Sequence, residues 1–258
     1  MKSALKALSI LLLAAFSCSL TAQNPTVLVT YMKVKPESEN DYLELEKAWK
    51  KFHVKAIEAG VHNGWQLWKK LYTGTDDPYQ YITIQWYDNY EHTFGENSPE
   101  GWWEGIYSEL EQTGLINKTH ATRCVAYRDV SHQLITVDNP GNIKYLLVSR
   151  NLIPLDRFEE YIKMETEIFK PVHEEMIRKG LMAHWGVWQI WPYKEGEGRI
   201  NIVEGYKDAA QMNSSGFMEV FNSIHPDLNW EETESEILKN RKELRVEIWE
   251  LIDSAFPD

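Results

Sequence analysis

Cysteine is nearly absent: the 258 residues contain two, Cys18 and Cys124. That supply cannot build a disulfide framework or a Cys-based metal cluster, so stability has to come from packing. Long apolar runs are missing as well. Ala7 to Phe16 is too short to cross a bilayer, which takes about 20 residues, and nothing later in the chain approaches a spanning segment. Basic residues are in deficit, with 27 Lys and Arg against 39 Asp and Glu. So acidic a chain repels phosphate backbones and anionic lipid, which argues against nucleic acid and membrane surfaces as partners. A glycine-rich phosphate loop, a His-Glu-x-x-His helix, a Gly-x-Ser-x-Gly elbow and an EF-hand loop are all lacking, so no single motif carries a reaction.

What the chain does have is aromatic residues, 11 Trp and 13 Tyr among them, which bury large areas in cores and can also wall a ligand cavity. Its start reads as a secretory signal over 1–22: Lys2 and Lys6, the short apolar run, then a small-residue exit at Thr21-Ala22. Cleavage after Ala22 and export to the periplasm or the medium are expected. Cys18, preceded by Phe16-Ser17, is a poor match to a lipoprotein attachment site. Removing the segment takes away two lysines and no acid from a formal net charge of −12.

One stretch occurs twice. Lys50, His53, Ile57, Gly60, Trp65 and Trp68 recur as Lys170, His173, Ile177, Gly180, Trp185 and Trp188 at a constant offset. Around each copy the patterns predict the same order of elements. In the first copy these are a β-branched strand at 26–34, a helix at 38–59 closed by Gly60, strands at 64–72 and 80–87, a helix carrying Trp102, Trp103, Ile106 and Leu110, and a strand at 121–130. In the second they are a strand at 143–152, a helix opened by an Asp156/Glu159 capping box, strands at 183–191 and 198–206, helices near 214–225 and 230–242, and a strand at 243–251. Pro171 is expected to kink the second long helix. The turn-rich Asp138-Asn-Pro-Gly141 divides the chain into repeats over 23–138 and 139–258. Each reads β-α-β-β-α-β, the ferredoxin-like order. Two such α+β halves can bury their bare sheet faces against each other as an intramolecular barrel.

The long helices hold the candidate acid–base groups. Glu46, Trp49 and His53 fall within about 60° on one apolar stripe, as do Glu165, Phe169 and His173. Each Glu and His lie two turns apart, about 11 Å, too far to bond and far enough to grip two ends of one small molecule. Burial would raise the carboxyl pKa into a range useful for proton transfer. The spacing slips by one residue between the copies. The ordinary reading of such a histidine is a core residue bonded to a neighbouring strand. Trp65 and Trp68 lie three apart, so they point to opposite faces of a strand, and Trp185 and Trp188 divide likewise. Arg150, His184, Gln85 and Glu204 add polar groups on strands.

The duplicated order resembles the dimeric α/β-barrel superfamily in its fused, two-repeat form, over nearly all of 26–251. That resemblance implies cofactor-free enzymes of monooxygenase, isomerase or cyclase type, with an aromatic-lined pocket between sheet and helices. Glu46 with His53, or Glu165 with His173, would be the acid–base groups. Trp49, Trp68 and Trp188 would be walls, and Arg150 and His184 further ligand contacts. It also implies a haem alternative, with His173 (or His53 by symmetry) on the iron and Arg150 on the distal side. A third reading is a non-catalytic binding or scaffold protein.

Overall fold

The computed structural model describes residues 25–94, 99–138, 142–191, 197–214 and 216–257. The expected signal segment, 1–22, lies outside them, as does most of the dividing turn. Eight strands form one closed antiparallel barrel: β1 (Thr26–Val34), β2 (Gly64–Lys70), β3 (Tyr81–Tyr87), β4 (Arg123–Asp138), β5 (Tyr145–Pro154), β6 (His184–Trp191), β7 (Glu197–Tyr206) and β8 (Lys242–Ala255). They run in the cyclic order β1-β3-β2-β8-β5-β7-β6-β4. Helices α1 (Glu39–Glu58) and α2 (Glu109–Thr122) belong to the first half. In the second half α3 (Phe158–Met164) and α4 (Lys170–Arg178) form one long helix, followed by α5 (Ala209–Met212), α6 (Phe217–Ile224) and α7 (Trp230–Asn240). Among the described residues no helix is long and apolar enough to cross a membrane.

Strands β1, β2, β3 and β6 are mostly buried on both faces, which accounts for their β-branched and aromatic content, whereas parts of β4 and β8 are exposed. Three cores result. Tyr42 and Leu45 of α1 pack on Trp65, Leu67, Met32 and Tyr81 outside the first half of the barrel. Tyr161, Phe169, Val172 and Phe221 pack on Trp185, Val187, Ile200 and Ile202 outside the second. The third core, with Val27, Val29, Trp68, Ile84, Val148, Trp188 and Trp249, fills part of the interior.

Closure depends on two strands longer than expected. β4 pairs with β1 through Thr26↔His132 and then with β6 through Asp138↔His184, while β8 pairs with β5 and then with β2 through Trp65↔Ala255. The predicted ends at 130 and 251 therefore fall short. Each strand turns the corner through two bulges. The register skips Ala126 and Leu134 in β4, and Leu244 and Ile252 in β8. An unpaired residue increases local twist and bends the strand, which is what a change of partner demands.

The two long helices end alike. Gly60 (φ +71°) and Gly180 (φ +74°) take the left-handed conformation. The pairs Gly60 N–H to Ile57 O and Val61 N–H to Ala56 O, and Gly180 N–H to Ile177 O and Leu181 N–H to Met176 O, close both as Schellman motifs. The bodies of the helices differ. α1 is continuous over 20 residues, whereas a π-helical turn at Glu165–Phe169 interrupts its counterpart. That turn absorbs one extra residue and explains the slip in Glu-to-His spacing. It stands immediately before Pro171, in place of the simple proline kink expected. The Asp156/Glu159 capping box does not form: a 3₁₀ turn at Leu155–Arg157 leads into α3 without a side-chain cap. Trp102 and Trp103 precede α2, which starts at Glu109 with a Ser108/Glu111 capping box.

Because both seams join strands of different halves, either half alone would leave its two edge strands unpaired. Urea unfolding followed by tryptophan fluorescence and far-UV circular dichroism should show one coincident transition. Two separated transitions would show that the halves are independent units.

Candidate functional site

Every second residue of each strand points into the barrel. The inward set encloses a cavity of about 820 Å³. Val27, Val29 and Tyr31 of β1, Ile84 and Trp86 of β3, Gln66 and Trp68 of β2, and Trp249 of β8 form one side. Leu146 and Val148 of β5, Asn201 and Val203 of β7, His184 and Trp188 of β6, and Ser131 and Gln133 of β4 form the other. Pro25, Ile143 and Phe256, next to strand ends, line the cavity at one end of the barrel. The volume is that of an ordinary small-molecule site, and the few polar groups on an apolar wall fit the same pattern.

The opposite end is sealed. Tyr79, from the β2–β3 connection, donates its hydroxyl to both oxygens of Glu247 (2.6 and 2.8 Å) and accepts from Arg150 Nη2 (2.9 Å). Trp249 Nε1 and Arg245 Nε also reach Glu247, each at 2.8 Å. Asp77 of the same connection pairs with Lys70 and with Arg245 Nη2 (2.7 Å). Arg150 lies over the Tyr31 ring at 4.8 Å, and Tyr31 stacks on Tyr127 at 4.2 Å. A buried carboxylate is tolerable only when so fully bonded. Burial holds the Tyr31 and Tyr79 hydroxyls well above the usual phenol range, so both stay protonated.

Within the cavity two indoles are fixed by one amide: Trp86 Nε1 (3.2 Å) and Trp68 Nε1 (3.4 Å) donate to Gln66 Oε1. On β6, Gly186 marks a close approach. A Cβ there would meet Trp188 Nε1 at 3.0 Å and His184 Nε2 at 3.3 Å.

The residues singled out from the sequence fall on two sides of the sheet. Trp68, Trp188 and His184 meet in the lumen, while Arg150 lies beneath them in the sealing network. Glu46, His53, Glu165, His173 and Trp49 lie outside the barrel. Trp49 donates to Thr119 Oγ1 of α2 at 3.0 Å, a helix–helix contact. The aromatic cavity is therefore inside the barrel rather than between sheet and helices. Strand alternation had already implied an inward tryptophan; the width left open in the interior had no signal in the sequence.

The outer layers nevertheless repeat one arrangement. Glu46 pairs with Arg123 Nε (3.2 Å) and Glu165 with Arg241 Nη1 (3.6 Å), beside Tyr42 and Tyr161. His53 stacks on Trp65 (4.9 Å, 12°) and His173 on Trp185 (4.6 Å, 16°). Burial lowers both imidazoles to about 3, so both are neutral. The halves differ at two places. His62, whose Nε2 is 3.2 Å from His53 Nδ1, is matched by Met182, and His173 Nδ1 has no partner. Gln85 is matched by Glu204, which accepts from Tyr206 Oη at 2.5 Å. A second cavity, about 380 Å³, opens against Glu46 between Leu43, Lys47 and Asp253. Among the described residues no group of three or more metal-ligating side chains gathers.

No family model matches the chain, and no curated protein does. Solved structures do. A candidate monooxygenase from Fusobacterium nucleatum aligns at TM-score 0.54 with 11% identity, over 90% of this chain and 94% of that one. A candidate chlorite dismutase aligns at 0.51 with 10% identity, over 89% and 95%. A candidate DyP-type peroxidase from Shewanella oneidensis aligns at 0.51 with 8% identity, over 90% and 92%. The chain has the dimeric α/β-barrel fold. Identities this low carry the fold and no activity.

Glu165 makes the outer layer testable. Burial is the main cause that raises its carboxyl from 4.5 to about 7; Tyr161 and Arg241 oppose this and Glu204 adds to it. Between those values the folded protein holds a proton that the unfolded chain has lost, so this group's contribution to stability falls as pH rises through that window. Glu165→Gln should gain on the wild type between about pH 5 and pH 8, by up to about 3 kcal/mol. Thermal melts of both proteins across that range check it. Comparing the two separates Glu165 from His53 and His173, whose lowered pKa values act with the opposite sign. A constant difference would mean that Glu165 is ionised throughout.

Proposed function

We propose that the chain is an exported small-molecule-binding protein whose ligand occupies the barrel lumen. The carrying observation is the cavity of about 820 Å³, sealed at one end by the Tyr79–Glu247–Arg150 network and walled by Trp68, Trp86, Trp188 and Trp249. Export rests on the signal-like segment at 1–22. We further infer that 23–138 and 139–258 are tandem ferredoxin-like repeats forming a dimer-like barrel within one chain. The matching strand orders β4-β1-β3-β2 and β8-β5-β7-β6 support this, as do the paired bulges, Schellman motifs and Glu–Arg contacts.

Haem on a helical histidine is the second reading, attached to this fold by the resemblance. His173 does not fit it without rearrangement. The residue is 6% exposed, its Nδ1 lacks the acceptor that orients a ligating histidine, and neither cavity is lined by it. A Soret band on adding haemin that disappears in His173→Ala would carry that reading.

Lumen binding is tested with the hydrophobic fluorophore N-phenyl-1-naphthylamine. One molecule should bind per chain and quench tryptophan emission. Val148→Trp places an indole in the cavity and should weaken binding by about tenfold or more, with the far-UV spectrum preserved. Unchanged affinity in Val148→Trp would remove the lumen as the site.

A further inference from the structure

Among the described residues the lumen lining contains no Asp, Glu, Lys or Arg. Its polar groups are carboxamides, hydroxyls and one imidazole, in a chain where about a quarter of residues are charged (26%). The ionisable groups around Tyr31 are already engaged: Arg150 and Glu247 with each other and with Tyr79, and Asp129 with Arg199. An ion drawn from water into this space would lose its hydration and meet no countercharge.

Most of the polarity in the lumen lies on one side, with Ser131, Gln133, His184 and Asn201 on β4, β6 and β7. Gln133, Trp188 and Asn201 stand directly opposite one another across β4, β6 and β7. The facing wall, on β3, β2 and β8, is built from indoles, two of them held by Gln66. On the polar wall Asn201 is 6% exposed and its Oδ1 has no hydrogen-bond partner. A buried acceptor left unpaired costs about 1–3 kcal/mol, so this position calls for a donor from whatever fills the cavity.

Building on the lumen-binding reading, we propose that the ligand is an uncharged, ring-containing molecule with a hydroxyl or N–H donor on one edge. That donor bonds Asn201 Oδ1, and the ring body lies against the indole wall. Selection against charge comes from the lining itself, and orientation comes from Asn201.

Three probes of one size separate the parts of this proposal: 1-hydroxypyrene, 1-methoxypyrene and 1-pyrenecarboxylate, titrated against the full folded chain near neutral pH and read by quenching of tryptophan emission. The hydroxyl compound should bind about 2–10-fold tighter than the methoxy compound, the worth of one neutral hydrogen bond. The carboxylate should bind at least about tenfold more weakly than the hydroxyl compound. In Asn201→Leu the preference for hydroxyl over methoxy should vanish while methoxypyrene binding persists. Equal affinity for the carboxylate would overturn the charge selection, and that comparison needs no variant. A hydroxyl preference that survives in Asn201→Leu would overturn the role of Asn201. Failure of all three probes to bind, or binding untouched by Val148→Trp, would refute lumen binding itself, which is a separable outcome.

Discussion

The double seam between the halves, β4 on β6 and β8 on β2, is the constraint from which the rest follows. Two four-stranded sheets left apart would each expose an apolar face and two unpaired edges. Shared edge strands abolish the edges, and the inward faces then enclose a lumen. The bulges at Ala126, Leu134, Leu244 and Ile252 make this possible, because one strand must serve two sheets that meet at an angle. The lumen is wide enough to stay partly open, and the Tyr79–Glu247–Arg150 network closes one end.

Closure also separates two sets of chemistry-bearing residues. The sheet stands between the outer Tyr–Glu–Arg and His–Trp clusters and the inner tryptophans, so no ligand in the lumen touches Glu46, His53, Glu165 or His173. The outer clusters are built twice on the same plan, and their differences are local. Glu204 in place of Gln85 adds a second, half-buried carboxyl near Glu165. Met182 in place of His62 leaves His173 without its imidazole neighbour.

Much of this was legible in the residues. The duplicated Lys–His–Ile–Gly–Trp–Trp pattern marked both long helices, their glycine stops and the following strands, because helix periodicity, left-handed glycine and strand alternation are local effects. The one-residue slip between Glu and His was visible too, although its cause, a π turn ahead of Pro171, was not. The predicted strands stop at 130 and 251, leaving out 131–137 and 252–255, which the structure places in β4 and β8. Their pairing partners belong to the other half of the chain, and no local pattern announces a partner that distant. The Trp102–Ile106 stretch looked helical by spacing, yet the capping box at Ser108 starts the helix later.

By itself the sequence determined the order of elements, the recurrence of the Lys–His–Ile–Gly–Trp–Trp pattern, and that the two tryptophans of each pair face opposite sides of the sheet. These depend on spacing along one strand or helix. Tertiary structure alone decided that the barrel closes, that its interior keeps a cavity, and that the cavity lies on the opposite side of the sheet from the helical Glu and His. Those outcomes depend on the bulges and on the summed volume of inward side chains from eight strands, quantities that exist only once the strands are paired.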